Sequence, residues 1–157
     1  MRTSSKEYTP DRLDNKFIHL TNDAIQKSSA DYGKYENSNK MSYAQFDKFL
    51  RDEKNISFNQ EILPKIKAQV TEVFEAAGTS LYSGADAEGS YNGFELMGFD
   101  YMLDDDMNLF LIEVNTNPCL DMPCLLLQRI ILQVLDQTHK IAIDPFLSAT
   151  ENQYYMN

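Results

Sequence analysis

The chain has 157 residues, of which 43% are hydrophobic, so it is long and apolar enough to bury a core and to form one domain. Its formal net charge of −10 argues against a general affinity for nucleic acid or for anionic membranes, both of which require a basic surface. The charge is uneven, because residues 1–54 carry 10 basic and 9 acidic side chains whereas residues 55–157 carry 4 and 15. No apolar run approaches the roughly 18 residues of a membrane helix.

The first forty residues are predicted to contain little regular structure. Residues 1–16 are polar and predict a loop or extended segment, and residues 17–21 predict a short strand. Residues 23–40 are rich in Ser, Asn, Tyr and Lys, which predicts a long irregular surface segment. An unstructured stretch of that length in a compact domain commonly binds a partner or is disordered.

Two helices are predicted next. The first covers residues 42–53, where Ser42 and Gln45 have the spacing of a capping box. The second covers roughly residues 60–77, because apolar side chains recur there every three or four positions. Gly78 is predicted to end this second helix, since glycine commonly occupies the position after a helix C-terminus.

A loop over residues 79–92 and a final helix complete the helical elements. Asp121 is predicted to cap the final helix, and Pro123 suits its first turn. His139 and Lys140 stand near its end, where positive charge complements the helix dipole.

Residues 94–103 and 109–115 predict two strands that form a hairpin around the polar run 104–108. Asp100 and Glu113 interrupt otherwise apolar strands. Burying a carboxylate costs several kcal/mol unless a cation or hydrogen-bond donors compensate, so these two positions call for a partner. The elements together predict an α+β fold in which antiparallel strands pack against helices.

The predicted hairpin gathers oxygen ligands on one face. Strand periodicity places Glu113 and Asn115 on the same face. With the loop centred at 105–106, Asp100 lies opposite Leu111, on that face and diagonal to Glu113. Mg²⁺ favours hard oxygen ligands of this kind and commonly shares its shell with substrate phosphates. A solvated strand face is an equally good interpretation of these residues taken alone.

Other kinds of site have weaker support. Cys119 and Cys124 lack the second ligand pair of a structural zinc site, and we expect two reduced cysteines. An EF-hand beginning at Asp104 fails because its sixth position is Leu109 rather than glycine. The chain has no P-loop or dinucleotide fingerprint, and no local signature of a hydrolase triad.

Six short motifs, taken in order, resemble the C-terminal part of the tubulin–tyrosine ligase-like family. The motifs are Arg2-Thr3-Ser4-Ser5, His19-Leu20-Thr21-Asn22, Ile25-Gln26-Lys27, Tyr32-Gly33-Lys34-Tyr35-Glu36, Phe94-Glu95-Leu96-Met97-Gly98-Phe99-Asp100 and Leu111-Ile112-Glu113-Val114-Asn115-Thr116-Asn117-Pro118. Each motif is weak alone, whereas the ordered set is specific. The likeness extends to about Pro145.

The resemblance implies an ATP-grasp ligase with ATP and Mg²⁺ as cofactors. Such a ligase uses ATP to activate a carboxylate as an acyl phosphate, which an amine then attacks to form an amide. The implied partners are tubulin or microtubules and a free amino acid, and the implied location is the cytoplasm, the cytoskeleton or a cilium. Glutamate is favoured over tyrosine or glycine, because side-chain-modifying members dominate the family and the run 114–118 resembles theirs more than that of the tyrosine ligase.

The resemblance also implies two groups of site residues. The first group matches the family's magnesium- and nucleotide-binding positions and consists of Asp100, Glu113 and Asn115. The second group matches catalytic positions near the γ-phosphate and the acceptor and consists of Arg2, Thr21 and Asn22. A guanidinium fork and short polar side chains suit anionic oxygens.

The resemblance covers only part of a ligase domain. Residues 1–147 are expected to be the C-terminal part of a tubulin–tyrosine ligase-like domain, and thus a partial ATP-grasp domain, with residues 148–157 as a flexible tail. We expect the chain to be a fragment that lacks the N-terminal ATP-binding part and is inactive alone. The locally basic segment 23–54 is a candidate for contact with an acidic tail, and an ordinary solvated surface is an equally good interpretation because the segment's own acids nearly cancel its charge. The alternative is a non-catalytic remnant that binds tubulin or another partner through that segment.

Overall fold

The computed structural model describes residues 1–82, 93–145 and Leu147. The chain divides into two compact units, Met1–Glu61 and Ile62–Asn157. Helices and one two-stranded antiparallel sheet make up the described part, in agreement with the predicted α+β class. Within the described ranges, no helix combines the length and the hydropathy that crossing a bilayer requires.

The first unit begins with two short helices, α1 (Lys16–His19) and α2 (Asp23–Gln26). The strand predicted over residues 17–21 is therefore wrong. Asn15 explains the difference, because its side chain accepts a hydrogen bond from Phe17 N at 3.1 Å and starts a helical turn there.

Residues 23–40 are more ordered than predicted. Besides α2 they contain a 3₁₀ turn at Asn37–Asn39, and several of their polar side chains are buried. Those side chains are Gln26, Ser29, Asn39 and Lys40. The segment is thus an internally bonded part of the first unit rather than an irregular surface loop.

Helix α3 (Tyr43–Lys54) confirms the predicted capping box. The Ser42 side chain accepts from Gln45 N at 3.2 Å, and the Gln45 side chain accepts from Ser42 N at 2.9 Å. Asn55 ends the helix in the left-handed conformation. Phe46 of α3 is buried and meets the ring of Phe58 edge-on at 5.7 Å, which contributes to the core of this unit.

The second unit begins with α4 (Leu63–Tyr82), which follows a π-helical turn at Phe58–Ile62. The predicted end at Gly78 is wrong, because α4 continues for another turn and Gly78 does not adopt the left-handed conformation of a helix cap. A glycine inside a helix costs only about 1 kcal/mol relative to alanine, which the neighbouring residues outweigh.

Strands β1 (Gly98–Leu103) and β2 (Leu109–Asn115) form the predicted hairpin, although β1 begins four residues later than expected. Helix α5 (Leu125–Ala142) follows. Its N-cap is Cys124, which makes no side-chain capping bond, so the predicted Asp121 cap is wrong. His139 and Lys140 do lie in its last turn, as predicted. Most of the predicted 79–92 loop and 148–157 tail lies outside the described residues.

Two glycines of the second unit are expected to respond oppositely to alanine. A Cβ on Gly98 would lie 3.0 Å from Pro118 Cβ, whereas a Cβ on Gly78 would have no heavy atom within 4 Å. We therefore expect Gly98→Ala to lower the free energy of unfolding by about 1–3 kcal/mol through overpacking. Gly78→Ala should raise it by about 1 kcal/mol through helix propensity. Urea unfolding of the two variants checks this, and a stabilising Gly98→Ala would contradict it.

Candidate functional site

The register of the hairpin places the two predicted metal-binding carboxylates directly opposite each other. Asp100 pairs with Glu113, and Tyr101 pairs with Leu111, so that Ile112 is an extra residue at a β-bulge. The predicted register, with Asp100 opposite Leu111, is wrong. The prediction that Asp100 and Glu113 share a face is confirmed.

Two local features cause the difference in register. The first is the loop, which is centred on Asp106 and closed by a hydrogen bond from Met107 N to Asp104 O at 3.0 Å, with Met107 at a φ of 62°. The second is the bulge at Ile112. Each feature displaces the pairing by one residue. The sum is two residues, which preserves the face because side chains alternate along a strand.

Helix α4 determines which face of the hairpin is covered. Phe99 of β1 lies with its ring 6.0 Å from that of Phe74 on α4, and the Tyr101 hydroxyl is 3.5 Å from Ile66 O. Because neighbouring side chains in a strand point to opposite faces, Asp100 lies on the face turned away from these contacts.

Asp100 and Glu113 are both exposed, so the burial cost that the sequence argument invoked does not arise in this chain. The remaining electrostatic effect is repulsion between two like charges in a direct cross-strand pair. Asn115 lies two residues further along the same face, and its Nδ2 donates to Glu113 Oε1 at 3.3 Å. The face thus presents two carboxylates and an amide.

Two carboxylates and an amide oxygen are ligands that suit a Mg²⁺ ion whose remaining coordination positions are filled by water and phosphate oxygens. Within residues 1–82, 93–145 and Leu147, no group of three or more His, Cys, Asp or Glu side chains can hold a metal. Mg²⁺ is commonly bound by one or two carboxylates, with water and substrate phosphates completing its shell. Asp100 and Glu113 are two exposed carboxylates of this kind.

The second predicted group lies in the first unit. Arg2 forms an isolated antiparallel bridge with Lys40, and Thr3 N donates to Asn39 O at 3.0 Å. This pairing holds the backbone of Arg2, while its side chain is exposed. The guanidinium is thus presented from a backbone that is anchored on the 39–41 segment.

Thr21 and Asn22 form the connection between α1 and α2. The Asn22 side chain accepts from Ala24 N at 2.9 Å and so caps α2. The cap uses the carbonyl oxygen of the Asn22 amide, which leaves the NH₂ group as the end that suits an anionic oxygen. Thr21 is partly exposed beside it. Arg2, Thr21 and Asn22 belong to one unit, and the carboxylate group belongs to the other.

Acidic neighbours pair with most cations of the basic segment 23–54. The pairs are Lys27–Asp23 and Lys40–Asp23, Lys34–Asp31, Lys48–Asp52 and Arg51–Asp47. Recognition of an acidic tail by this segment stays a prediction, and the pairing reduces the positive charge that the segment presents.

The pair of Lys40 and Asp23 is the most buried of these, with a Nζ–Oδ1 distance of 2.7 Å and only 6% of the Lys40 side chain exposed. Burial raises the pKa of Asp23, but hydrogen bonds from Lys40, Tyr32 and Lys27 outweigh it and lower the pKa to about 2. Asp23 directly follows Asn22, so this ion pair also holds the end of the Thr21–Asn22 connection.

Comparison with known proteins identifies the class of the chain. The model of the "Tubulin-tyrosine ligase family" matches residues 1–151. Tubulin glycylase 3B of Tetrahymena thermophila is 33% identical over 146 residues, which is 92% of this chain and 12% of that protein. The human probable tubulin polyglutamylase TTLL2 is 31% identical over 131 residues, covering 79% of this chain and 20% of that protein.

A third relative, the human protein monoglycylase TTLL8, is 28% identical over 149 residues, covering 92% of this chain and 17% of that protein. The names of these relatives thus describe a tubulin glycylase, a probable tubulin polyglutamylase and a protein monoglycylase. The chain belongs to the tubulin-tyrosine ligase family, as its motifs predict. It spans only between an eighth and a fifth of the length of these relatives.

Sequence reasoning missed two residues of the first unit that join the segments carrying the second group. These are Gln26 and Asn39, whose side chains are buried. Gln26 lies in the motif Ile25-Gln26-Lys27, which contributes to the family resemblance. The motif does not indicate, however, that the glutamine side chain is buried. Asn39 had no such signal.

Proposed function

We propose that the chain is part of an ATP-dependent ligase that adds an amino acid to tubulin. The observation that carries the proposal is the direct pairing of Asp100 with Glu113 on an exposed hairpin face, in a chain that the family model matches over residues 1–151. Carboxylates directly opposite each other destabilise a hairpin. A cation that binds together with the nucleotide would offset this repulsion, which gives the two opposed carboxylates a function.

In the proposed reaction a carboxylate oxygen of the acceptor attacks the γ-phosphorus of ATP, and ADP leaves. The amine nitrogen of the second substrate then attacks the acyl carbon, phosphate leaves and the nitrogen loses a proton. Asp100 and Glu113, with Asn115, would hold Mg²⁺, which supplies positive charge next to the phosphate oxygens.

Three residues of the first unit stand at family positions that suit hydrogen-bond donation to anionic oxygens. Arg2 offers a bidentate fork to the γ-phosphate or to the phosphate of the acyl phosphate. The amide NH₂ of Asn22 and the hydroxyl of Thr21 offer further donors to anionic oxygens. These roles rest on the family positions of the three residues and on the anchored backbone that presents them.

The added amino acid is proposed to be glutamate, because side-chain-modifying members dominate the resembling family and the run at residues 114–118 is closer to theirs than to that of the tyrosine ligase. Glycine has specific support as a second candidate, because the relatives at 33% identity are named tubulin glycylases. A location on the cytoskeleton follows from a tubulin substrate.

The proposal is tested by incubating the full-length gene product with tubulin, ATP, Mg²⁺ and one radiolabelled amino acid at a time. We expect ATP-dependent labelling of tubulin with glutamate, with one ADP formed per amide. Tubulin whose acidic tails have been removed should carry no label. Label with glycine alone would overturn the choice of glutamate. Absence of label with glutamate, glycine and tyrosine, together with co-sedimentation on microtubules, would instead support the non-catalytic binding module.

A further inference from the structure

Two buried amide side chains connect the segments of the first unit that carry the predicted catalytic residues. Gln26 is 0% exposed and Asn39 is 5% exposed. A buried amide is stable only when its polar atoms find partners. The partners of these two amides show which pieces of backbone they hold.

Gln26 forms hydrogen bonds with the backbone of two segments, one near Ser5 and one at residues 17–20. Its Oε1 accepts from Ser5 N at 2.9 Å, which holds the segment that begins with Arg2. Its Nε2 donates to Leu20 O at 2.5 Å and to Phe17 O at 3.2 Å, and Leu20 immediately precedes Thr21. One side chain therefore spans from the Arg2 segment to the Thr21–Asn22 connection.

Asn39 completes the connection from the other side. Its Nδ2 donates to Ser5 Oγ at 2.8 Å and to Thr3 O at 3.3 Å, and lies 3.4 Å from Gln26 Oε1. Its Oδ1 accepts from Gly33 N at 2.7 Å. Thr3 directly follows Arg2. Asn39 therefore holds the neighbour of Arg2 both through the Asn39 side chain and through the Asn39 backbone carbonyl.

We propose that Gln26 and Asn39 are the positioning residues of the γ-phosphate side of the site, which set Arg2 relative to Thr21 and Asn22. This inference rests on the proposed function, since it assigns the amide pair to residues that the proposed function uses. Neither amide touches substrate in this role. Both act through the backbone of the segments that they hold.

The physical reason is that this connection is made of directional hydrogen bonds rather than of apolar contacts. An apolar side chain at position 26 fills the volume but leaves Ser5 N and Leu20 O without their partner. The hydrogen bond from Ser4 Oγ to Phe17 O still joins the two segments, but they lose the bonds that fix their relative position. A displacement of about 1 Å in a catalytic group can lower the rate about 100-fold. The effect falls on kcat, because the groups concerned act on the reacting phosphate.

Gln26→Met in the full-length gene product tests the inference, with Leu50→Ala as the matched control. Leu50 is 1% exposed and lies in α3 of the same unit. Both variants should lower the midpoint of urea unfolding. At a temperature where both are folded, we expect kcat for ligation to fall about 100-fold in Gln26→Met only, with the KM for ATP changed less than about threefold.

Equal kcat values in Gln26→Met and Leu50→Ala would overturn the inference and leave the proposed function intact. Absence of ligation in the unsubstituted protein would instead overturn the proposed function. If Gln26→Met does not fold, Asn39→Asp decides. It keeps the acceptor for Gly33 N and removes the donor to Thr3 O, and it should lower kcat in the same way. An unchanged kcat in folded Asn39→Asp would contradict the inference.

Discussion

Replacing Asp100 with asparagine is expected to stabilise the chain and, in the full-length gene product, to abolish magnesium-dependent ligation. Asp100 and Glu113 are direct cross-strand partners, so removal of one charge relieves a repulsion of about 0.2–1 kcal/mol. The same change removes an oxygen ligand of Mg²⁺. Metal stabilisation of a phosphoryl-transfer transition state amounts to several kcal/mol, and we expect ligation to fall at least about 100-fold.

The opposite signs of these two effects distinguish a functional carboxylate pair from a solvated strand face. Urea unfolding measures the first effect, and ligation at increasing Mg²⁺ concentrations measures the second. Asp105→Asn is the matched control, because Asp105 is an exposed acid in the loop of the same hairpin. It should leave ligation unchanged. Retained magnesium-dependent ligation in a double variant with Asp100→Asn and Glu113→Gln would refute the assignment.

The largest expected effect on stability is that of Asp23→Asn. The substitution leaves the Lys40 ammonium buried without its opposite charge, and such a loss costs about 3 kcal/mol or more. Urea unfolding of the 157-residue chain at neutral pH measures the difference. Asp52→Asn is the control, because Asp52 forms an exposed pair with Lys48. Solvent screens that pair, so its loss should change the free energy of unfolding far less than the loss of the buried pair.

The contribution of Asp23 should depend on pH with a definite sign. The pKa of its carboxyl is about 2 in the folded chain, below the roughly 3.9 of an unfolded aspartate. A lowered pKa stabilises the folded state fully above about pH 4, and this stabilisation is lost as the pH falls through about 2. The stability difference between the unsubstituted chain and Asp23→Asn should therefore shrink between about pH 5 and pH 2. A difference that is independent of pH would contradict this.

The elements that the sequence predicts well are those set by residues close together in the chain. The capping box of α3 joins Ser42 to Gln45, and the hairpin follows from two apolar runs around a polar loop. Local signals also misled in three places, of which the Asp121 cap of α5 is one. A Gly78 that resembles a helix stop lies within α4, and apolar residues 17–21 that resemble a strand include most of α1. Short apolar runs do not distinguish a strand from a helix.

The candidate site divides in the same way. Strand periodicity was sufficient to group Glu113 with Asn115. Asp100 shares their face because the displacements caused by the loop and by the bulge add up to two residues. The direct opposition of Asp100 and Glu113 depends on the bulge at Ile112 and on the left-handed Met107, which no pattern in the sequence specifies.

The sequence by itself determined the family of this chain, the approximate positions of α3, α4, α5 and the hairpin, and the place of Glu113 and Asn115 on one face of β2. Only the tertiary structure decided that Lys40 is a buried partner of Asp23 and that Gln26 and Asn39 join Arg2 to the Thr21–Asn22 connection. The physical reason is separation along the chain. The bond from Asn39 to Thr3 joins residues 36 positions apart, so a polar side chain in one segment finds its partner only after the chain has folded.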